Sequence, residues 1–231
     1  MKKRSLMGLI RLLLAVGVLL MVYFVFCGTP WGTSEFKKDV IRYLEEKYAQ
    51  EMVVNSNPYY SFELGTYSLS ASPIDFKEVK YAVWQTTGNE RELGDNYFVT
   101  YWAYQANKEL NSYLSLAFPD NTVSGKVVIQ HEPRLNHSPN AKIMPPSYDE
   151  VKGQLRNGTY IFIDFGRELD VEKIDQEYTY IYDIFHYIKQ YGYTFDIIKV
   201  DFNKQNKLRL NYTDFMNIND KYDLKDYFKK L

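Results

Sequence analysis

An uncharged apolar run near the N-terminus constrains this chain more than any other feature of its sequence. Residues 12–27 read LLLAVGVLLMVYFVFC. As a helix this run covers about 24 Å, and residues 6–10 can complete a span of about 30 Å if the side chain of Arg11 reaches the headgroups. The sequence therefore predicts a transmembrane helix, and the membrane is the expected partner of residues 6–28.

Basic residues precede this run and set its expected orientation. Lys2, Lys3 and Arg4 stand at the N-terminal flank, and cationic flanks stay on the cytoplasmic side. We therefore expect a signal-anchor, single-pass protein of the cell membrane. Its N-terminus is cytoplasmic and its body is extracytoplasmic.

Cys27 leaves two alternatives open. A cleaved secretory signal ends in small residues, but residues 23–26 are the bulky Tyr-Phe-Val-Phe. A lipoprotein would be cleaved before Cys27 and acylated there, yet the lipobox needs a small residue in the place of Phe26. We favour an uncleaved anchor and keep lipid attachment through Cys27, or cleaved secretion, as alternatives.

The composition of the body limits its partners. All 29 acidic residues follow position 28, against 24 of the 28 basic ones, so the body has a net charge of −5. Nucleic acid is not expected as a partner, because phosphate binding requires an excess of Lys and Arg. The body has no cysteine, which excludes disulfides, thiolate metal sites and a catalytic thiol.

The apolar spacing of residues 29–120 predicts a first module. A juxtamembrane turn at residues 29–33 is interpreted as a hinge. The elements that follow are a helix at 35–49, extended segments at 52–57, 59–70 and 74–85 with a turn at Gly65, a polar loop at 88–94, and a long helix from Asp95 or Asn96 to Pro119. The first module is thus a helix, a three-strand meander and a helix.

Residues 121–231 predict a second small α+β module. Its elements are a strand at 123–131, a proline-rich linker or loop at 133–146, a helical segment at 148–155, a strand at 159–165, a helix at 171–191, strands at 193–202 and 207–212 joined by a turn at 203–206, and a short C-terminal helix. The predicted fold class is α+β, with domains at 1–28 (membrane anchor), 29–120 and 121–231.

The order of these elements resembles a known family. The anchor, the TPWG turn, the helix, the stretch YSFELGTYSLSASP and the helix opening DNYFVTYW are similar to the YfjL-like family of membrane-associated proteins of Gram-positive bacteria. The resemblance covers mainly residues 20–118 and includes no catalytic motif. It implies a tethered envelope protein without an assigned activity, and Phe26 argues against lipidation here.

Histidines give no catalytic or metal-binding motif in the sequence. His131 and His137 are six residues apart, whereas H-E-x-x-H places the second histidine four residues after the first, and Pro133 disfavours the helix that would align them. His186, on a predicted amphipathic helix, is expected to be structural. We assign no catalytic residue, no metal ligand and no cofactor.

A cluster of carboxylates and one isolated carboxylate are the candidate catalytic acids of the sequence. Glu90, Glu92 and Asp95 precede the long helix, where acidic residues also stabilise the helix N-terminus. Asp164 lies inside the apolar run YIFIDF. These acids support only the alternative of an enzyme of unknown type.

Aromatic residues are the remaining signal, since Tyr and Trp rings suit both cores and interfaces. The aromatic residues expected at strand ends or off the main apolar helix face are Tyr59, Tyr60, Trp84, Trp102 and Tyr104. We predict a membrane-tethered, extracytoplasmic binding or interaction protein, with an unknown protein, peptide or envelope polymer as partner. A carboxylate-dependent envelope enzyme and a structural tether beside another membrane protein are the competing classes.

Overall fold

The computed structural model describes residues 2–87, 92–120, 122–132, 142–203 and 205–228. Glu90, His137 and most of the proposed linker lie outside these residues. The chain forms two compact units: Met1–Tyr97 with His137–Met144, and Phe98–Asn136 with Pro145–Leu231. Helices and two separate sheets build them, so the predicted α+β class is confirmed.

Helix α1 (Lys2–Cys27) is the apolar N-terminal helix. Its side chains are exposed around its circumference, for example Leu14 at 66%, Leu19 at 68% and Met21 at 70%. A helix that is apolar on all sides and uncovered by protein is typical of a membrane span. By length and composition, α1 can cross a bilayer.

Helix α2 (Pro30–Lys47) begins earlier than predicted, directly after α1. Thr29 caps it by accepting a hydrogen bond from the backbone N–H of Gly32, and Pro30 occupies the first turn, where a missing N–H costs nothing. The interpretation of residues 29–33 as a hinge was therefore wrong. Phe36, Val40 and Leu44 are buried along one face of α2.

In the part of the chain that the structure describes, the sheet of the first unit is antiparallel and has five strands. They are β1 (Met52–Val54), β2 (Tyr59–Ser61), β3 (Thr66–Pro73), β4 (Tyr81–Gln85) and β5 (Leu93–Asp95). Both β1 and β2 pair with β3, and β4 lies between β3 and β5. The predicted turn at Gly65 is present, with φ of 66°.

The sheet differs from the predicted three-strand meander in two places. Residues Ile74–Phe76 form a 3₁₀ turn instead of continuing a strand. Residues 93–95, predicted as loop and helix start, form β5 instead. Strand β5 has only three residues, which is too short for an alternating apolar pattern to identify it.

The boundary between the compact units also differs from the predicted domain boundary at residue 120. Helix α3 (Tyr97–Ala117) lies in the second unit except for its first residue. The reason is its packing against strand β6 (Ser124–Ile129) of the second unit. A Cβ at Gly125 of β6 would lie within 2.9 Å of side-chain atoms of Leu110 and Leu114 of α3, so the helix and the strand are in close contact.

Among its described residues, the second unit contains a four-stranded mixed sheet in the order β6 (Ser124–Ile129), β7 (Thr159–Asp164), β8 (Ile197–Phe202) and β9 (Gln205–Asn211). Strands β7 and β8 are parallel, and helix α5 (Ile174–Gln190) connects them. The other helices are α4 (Tyr148–Val151), α6 (Tyr212–Met216) and α7 (Leu224–Phe228). The strand predicted from residue 193 begins at Ile197.

Candidate functional site

Four residues form a straight row across the sheet of the first unit. Tyr59 of β2 is the register partner of Ser68 of β3, Ser68 pairs with Trp84 of β4, and Trp84 pairs with Gly94 of β5. Register partners project to the same face of a sheet. Tyr59 and Trp84 therefore stand on one face.

The pattern of β3 explains why this face is open. Tyr67, Leu69 and Ala71 are buried, and the intervening side chains project to the opposite face of the pleat. These are the small hydroxylated side chains of Thr66, Ser68 and Ser70, which are only partly buried. One face of β3 thus joins the core of the unit, and the other is polar but uncharged.

Trp84 is the largest side chain on the open face and is 36% exposed. A Cβ at Gly94 would lie 3.2 Å from the indole atoms Cε2 and Nε1 of Trp84. Glycine on the neighbouring strand thus lets the indole lie close against the sheet. One side of the indole packs on Gly94 of β5, and the rest of the ring is open to solvent.

A groove of about 520 Å³ adjoins Trp84. Its described lining consists of Ser61, Leu64, Thr66, Ser68, Trp84, Gln85, Thr86 and Thr87. None of these eight side chains is ionisable, and five carry a hydroxyl group that both donates and accepts hydrogen bonds. The groove thus combines one aromatic surface with many neutral hydrogen-bonding groups, a more polar lining than that of a typical pocket for an apolar ligand.

A charged cluster lies on the other face of the same sheet. The carboxylate of Asp95, whose side chain is 2% exposed, accepts hydrogen bonds of 2.7 Å from the Lys47 ammonium and the Tyr48 hydroxyl. Tyr43 donates a further one. Lys47 and Tyr43 belong to α2, so this cluster fixes α2 against β5.

The electrostatics of the cluster follow from burial and from its charges. Burial alone raises the pKa of Asp95, but the charge of Lys47 and the donated hydrogen bonds outweigh this and hold the pKa below its ordinary value. Burial and the neighbouring Asp95 raise the pKa of Tyr48 far above the ordinary value. Asp95 is therefore an ionised structural acceptor enclosed by its partners. It also accepts a hydrogen bond of 2.9 Å from the backbone N–H of Tyr97, so it stabilises the N-terminus of α3, as considered from sequence.

The five aromatic residues singled out from sequence occupy different environments. Tyr59 is 69% exposed and shares the open face with Trp84. Tyr60 packs on Tyr67, with ring centroids 4.9 Å apart. Trp102 is fully buried and donates to the carbonyl of Pro146, and Tyr104 is half-buried.

The described carboxylates of the enzyme alternative belong to different units of the chain. Glu92 is an exposed residue of the first unit, and Asp164 ends β7 in the second. The register partner of Asp164 on the parallel strand β8 is Asp201, which the sequence analysis missed. Burial and the charge of Asp164 raise the pKa of Asp201, and its Oδ1 is buried without a hydrogen-bond partner among the described residues. Both aspartates stand between an aliphatic residue and a phenylalanine near the end of an apolar strand, in FIDF and in KVDF. This shared pattern was the signal in the sequence that could have indicated that they are neighbours.

The two described histidines, His131 and His186, both belong to the second unit. His131 is exposed and its ring lies beside Gly158, where a Cβ would be 2.5 Å away. His186 is exposed on α5 and lines a groove of about 320 Å³ with Tyr113, Phe118, Tyr180, Asp183 and Tyr187 among others. Among the described residues no three His, Cys, Asp or Glu side chains are grouped to hold a metal ion.

These features define a class: an α+β protein with an N-terminal helix of membrane-spanning length and an aromatic, hydroxyl-lined groove on its first sheet. Residues 1–90 match the family model of the YfjL-like N-terminal domain. The resemblance derived from the sequence is thus confirmed for the part that contains α1, α2 and strands β1 to β4. Comparisons with curated proteins and with solved structures give no match.

Proposed function

We propose that this protein is a single-pass membrane protein that binds a saccharide of the cell envelope in the groove beside Trp84. Helix α1 is the anchor, and the basic residues before it keep the N-terminus in the cytoplasm. The body then works on the extracytoplasmic side. Of the partners expected from sequence, the envelope polymer suits the groove best.

The observation that carries this proposal is the supported indole of Trp84 among neutral hydroxyl groups. A sugar ring has an apolar face of C–H groups, which can cover an aromatic ring, and an edge of hydroxyl groups. The hydroxyl groups of that edge can form hydrogen bonds with the side chains of Ser68, Thr66 and Gln85. A peptide would instead require pockets for its side chains or pairing with a sheet edge.

Binding can be measured on the full chain in lipid nanodiscs. The probes are polysaccharide isolated from the envelope of the producing cells and a neutral tetrasaccharide of β-1,4-linked N-acetylglucosamine, titrated by calorimetry. Replacing Trp84 by Ala should weaken binding about tenfold or more, as expected for a central aromatic contact. The matched control is Tyr222→Ala, an aromatic residue that is 57% exposed in the second unit.

Unchanged affinity in Trp84→Ala, or no binding of either saccharide by the wild-type chain, would refute the groove as a saccharide site. The membrane topology has a separate test. Protease added to intact cells should degrade the body and leave a fragment of α1, whereas protection of the body would contradict the extracytoplasmic location.

A second candidate function is carboxylate catalysis in the second unit. Asp164 and Asp201 are register partners at the carboxyl ends of parallel strands, and burial together with the charge of Asp164 raises the pKa of Asp201. Two neighbouring carboxyl groups in different environments are an arrangement used for acid–base catalysis. Under this hypothesis Asp164→Asn and Asp201→Asn would each abolish release of soluble fragments from dye-labelled envelope polymer, while Trp84→Ala would not.

A further inference from the structure

The turn between β2 and β3 carries large apolar side chains that protein does not cover. Phe62 is 53% exposed, Leu64 is 63% exposed, and Tyr59 at the start of β2 is 69% exposed. These three residues lie within six consecutive positions. We call the segment from Tyr59 to Leu64 the hairpin tip.

The hairpin tip contacts the end of the apolar helix. The ring of Phe62 lies beside the ring of Phe26, the penultimate residue of α1, with centroids 5.0 Å apart. The backbone at Gly28, directly after α1, is tightly packed against β2, because a Cβ at Gly28 would lie 2.9 Å from the Tyr60 ring. The tip and the end of α1 thus have a fixed relation.

The length of α1 places this contact at the membrane boundary. The uncharged run ends at Cys27, and with residues 6–11 it is about as long as a hydrocarbon core of about 30 Å. Phe26 then lies near the outer limit of the hydrocarbon. Trp31, 65% exposed with its ring 5.4 Å from that of Phe24, stands where indoles favour the headgroup layer.

We propose that the hairpin tip is a second membrane contact, in which Phe62 and Leu64 enter the boundary between headgroups and acyl chains. This inference rests on the proposed anchoring of the protein by α1. Contact with lipid removes the exposed apolar surface from water. Glu63, between the two apolar residues, keeps the contact shallow, because a carboxylate does not enter hydrocarbon.

The contact also determines where the groove beside Trp84 opens. Leu64 and Ser61 belong to the hairpin tip and line that groove. The groove therefore opens next to the headgroup layer. A ligand attached to a lipid, or lying on the membrane surface, could enter it without leaving the membrane.

Depth-dependent fluorescence quenching on the full chain tests this proposal. In a Cys27→Ser background, single cysteines replace Leu64, Asp75 or Val18 and carry the same environment-sensitive dye in liposomes. Asp75 is the matched control, since it is exposed and follows the far end of the eight-residue β3, about 25 Å from the tip. Val18 lies inside the apolar run and reports on the anchor itself.

Lipids with a nitroxide near the headgroup should quench the dye at residue 64 about threefold more than the dye at residue 75. Equal quenching at residues 64 and 75 would overturn the proposal. Lipids with a nitroxide deep in the acyl chain should quench the dye at residue 18. Loss of that signal would refute anchoring by α1, so failure of the anchor and failure of the tip contact give different results.

Discussion

The hydroxyl of Tyr67 accepts a hydrogen bond of 2.9 Å from the backbone N–H of Thr29, the residue that joins α1 to α2. Tyr67 lies on the buried face of β3. A Cβ at Gly28 or at Gly32 would lie 2.5 or 2.6 Å from the Tyr67 hydroxyl oxygen. Helix α1 therefore joins the rest of the first unit through a packed joint and not through a flexible linker.

Substitutions at Tyr67 or Gly28 should weaken the joint between α1 and α2 and increase hydrogen exchange in its neighbourhood. Tyr67→Phe removes the acceptor of the Thr29 N–H and should lower the free energy of local opening by about 1 kcal/mol. Gly28→Ala should cost more, about 1–3 kcal/mol, because residue 28 has φ of 72° and no space for a Cβ. Hydrogen-exchange mass spectrometry of peptides from α2 and β3 reports both changes.

Tyr59→Phe is the matched control for these variants, since Tyr59 is exposed and its change should leave the exchange rates as they are. If Gly28→Ala exchanges like the wild-type chain, the joint is not packed as described.

The ion pair of Asp95 and Lys47 predicts a loss of stability in acid. The folded state lowers the pKa of Asp95, so the pair contributes its full stabilisation above the unfolded value of about 3.9 and loses it as the pH falls through the folded value. Asp95→Asn should destabilise the first unit by about 2–3 kcal/mol at pH 7, because Lys47 loses its partner.

Urea unfolding at pH values from 7 down to 3, followed by near-ultraviolet circular dichroism, measures this dependence. The difference between wild type and Asp95→Asn should shrink towards pH 3. The control is Asp75→Asn, which changes an exposed carboxylate. A difference that stays constant with pH would show that Asp95 is not stabilised as an anion.

The edge strand β6 is covered by asparagine side chains of α3. Asn107 exchanges two hydrogen bonds of 2.8 Å with the backbone of Val127, and Asn111 exchanges two with Gly125 at 2.8 and 2.9 Å. These amides occupy the groups that a further strand would use. Asn107→Ala should cost about 1–2 kcal/mol, and the double variant with Asn111→Ala should also self-associate.

Denaturant unfolding and light scattering after size-exclusion chromatography measure these two effects. Ser112→Ala on the same helix is the control, because the Ser112 hydroxyl donates a hydrogen bond within α3, to the carbonyl of Lys108. If the double variant is as stable and as monomeric as this control, the asparagine side chains do not protect the edge of β6 from self-association.

The N-terminus of the mature protein distinguishes an anchor from a lipoprotein. Cys27 is the exposed last residue of α1, and the bulky Phe26 precedes it. Intact mass spectrometry of the protein from its native membrane should find residues 1–27 present and Cys27 unmodified. Phe26→Gly should create a processing site and yield some chain that starts at an acylated Cys27. Acylated Cys27 in the wild-type protein would establish the lipoprotein alternative instead.

Local patterns in the sequence were sufficient for the long elements of this protein. The apolar run predicted α1, and the spacing of apolar residues predicted α3 and α5, because each of these helices repeats its pattern over several turns. The short strand β5 and the pairing of β1 and β2 with a single strand did not follow from the sequence. Three-residue strands carry too little periodicity, and their partners depend on contacts distant in the chain.

The candidate site also combines features that are visible in the sequence with features that depend on strand pairing. The alternation T-Y-S-L-S-A in β3 and the aromatic Trp84 are visible in the sequence, but the row from Tyr59 to Gly94 depends on the register of four strands. The sequence by itself determined the long apolar N-terminal helix, the α+β class and the absence of cysteine after position 27, since each depends on composition or local periodicity. Only the tertiary structure decided which hydroxyl groups surround Trp84, that Phe62 meets Phe26, and that Asp164 faces Asp201, because side chains distant in sequence become neighbours only when strands pair and helices pack.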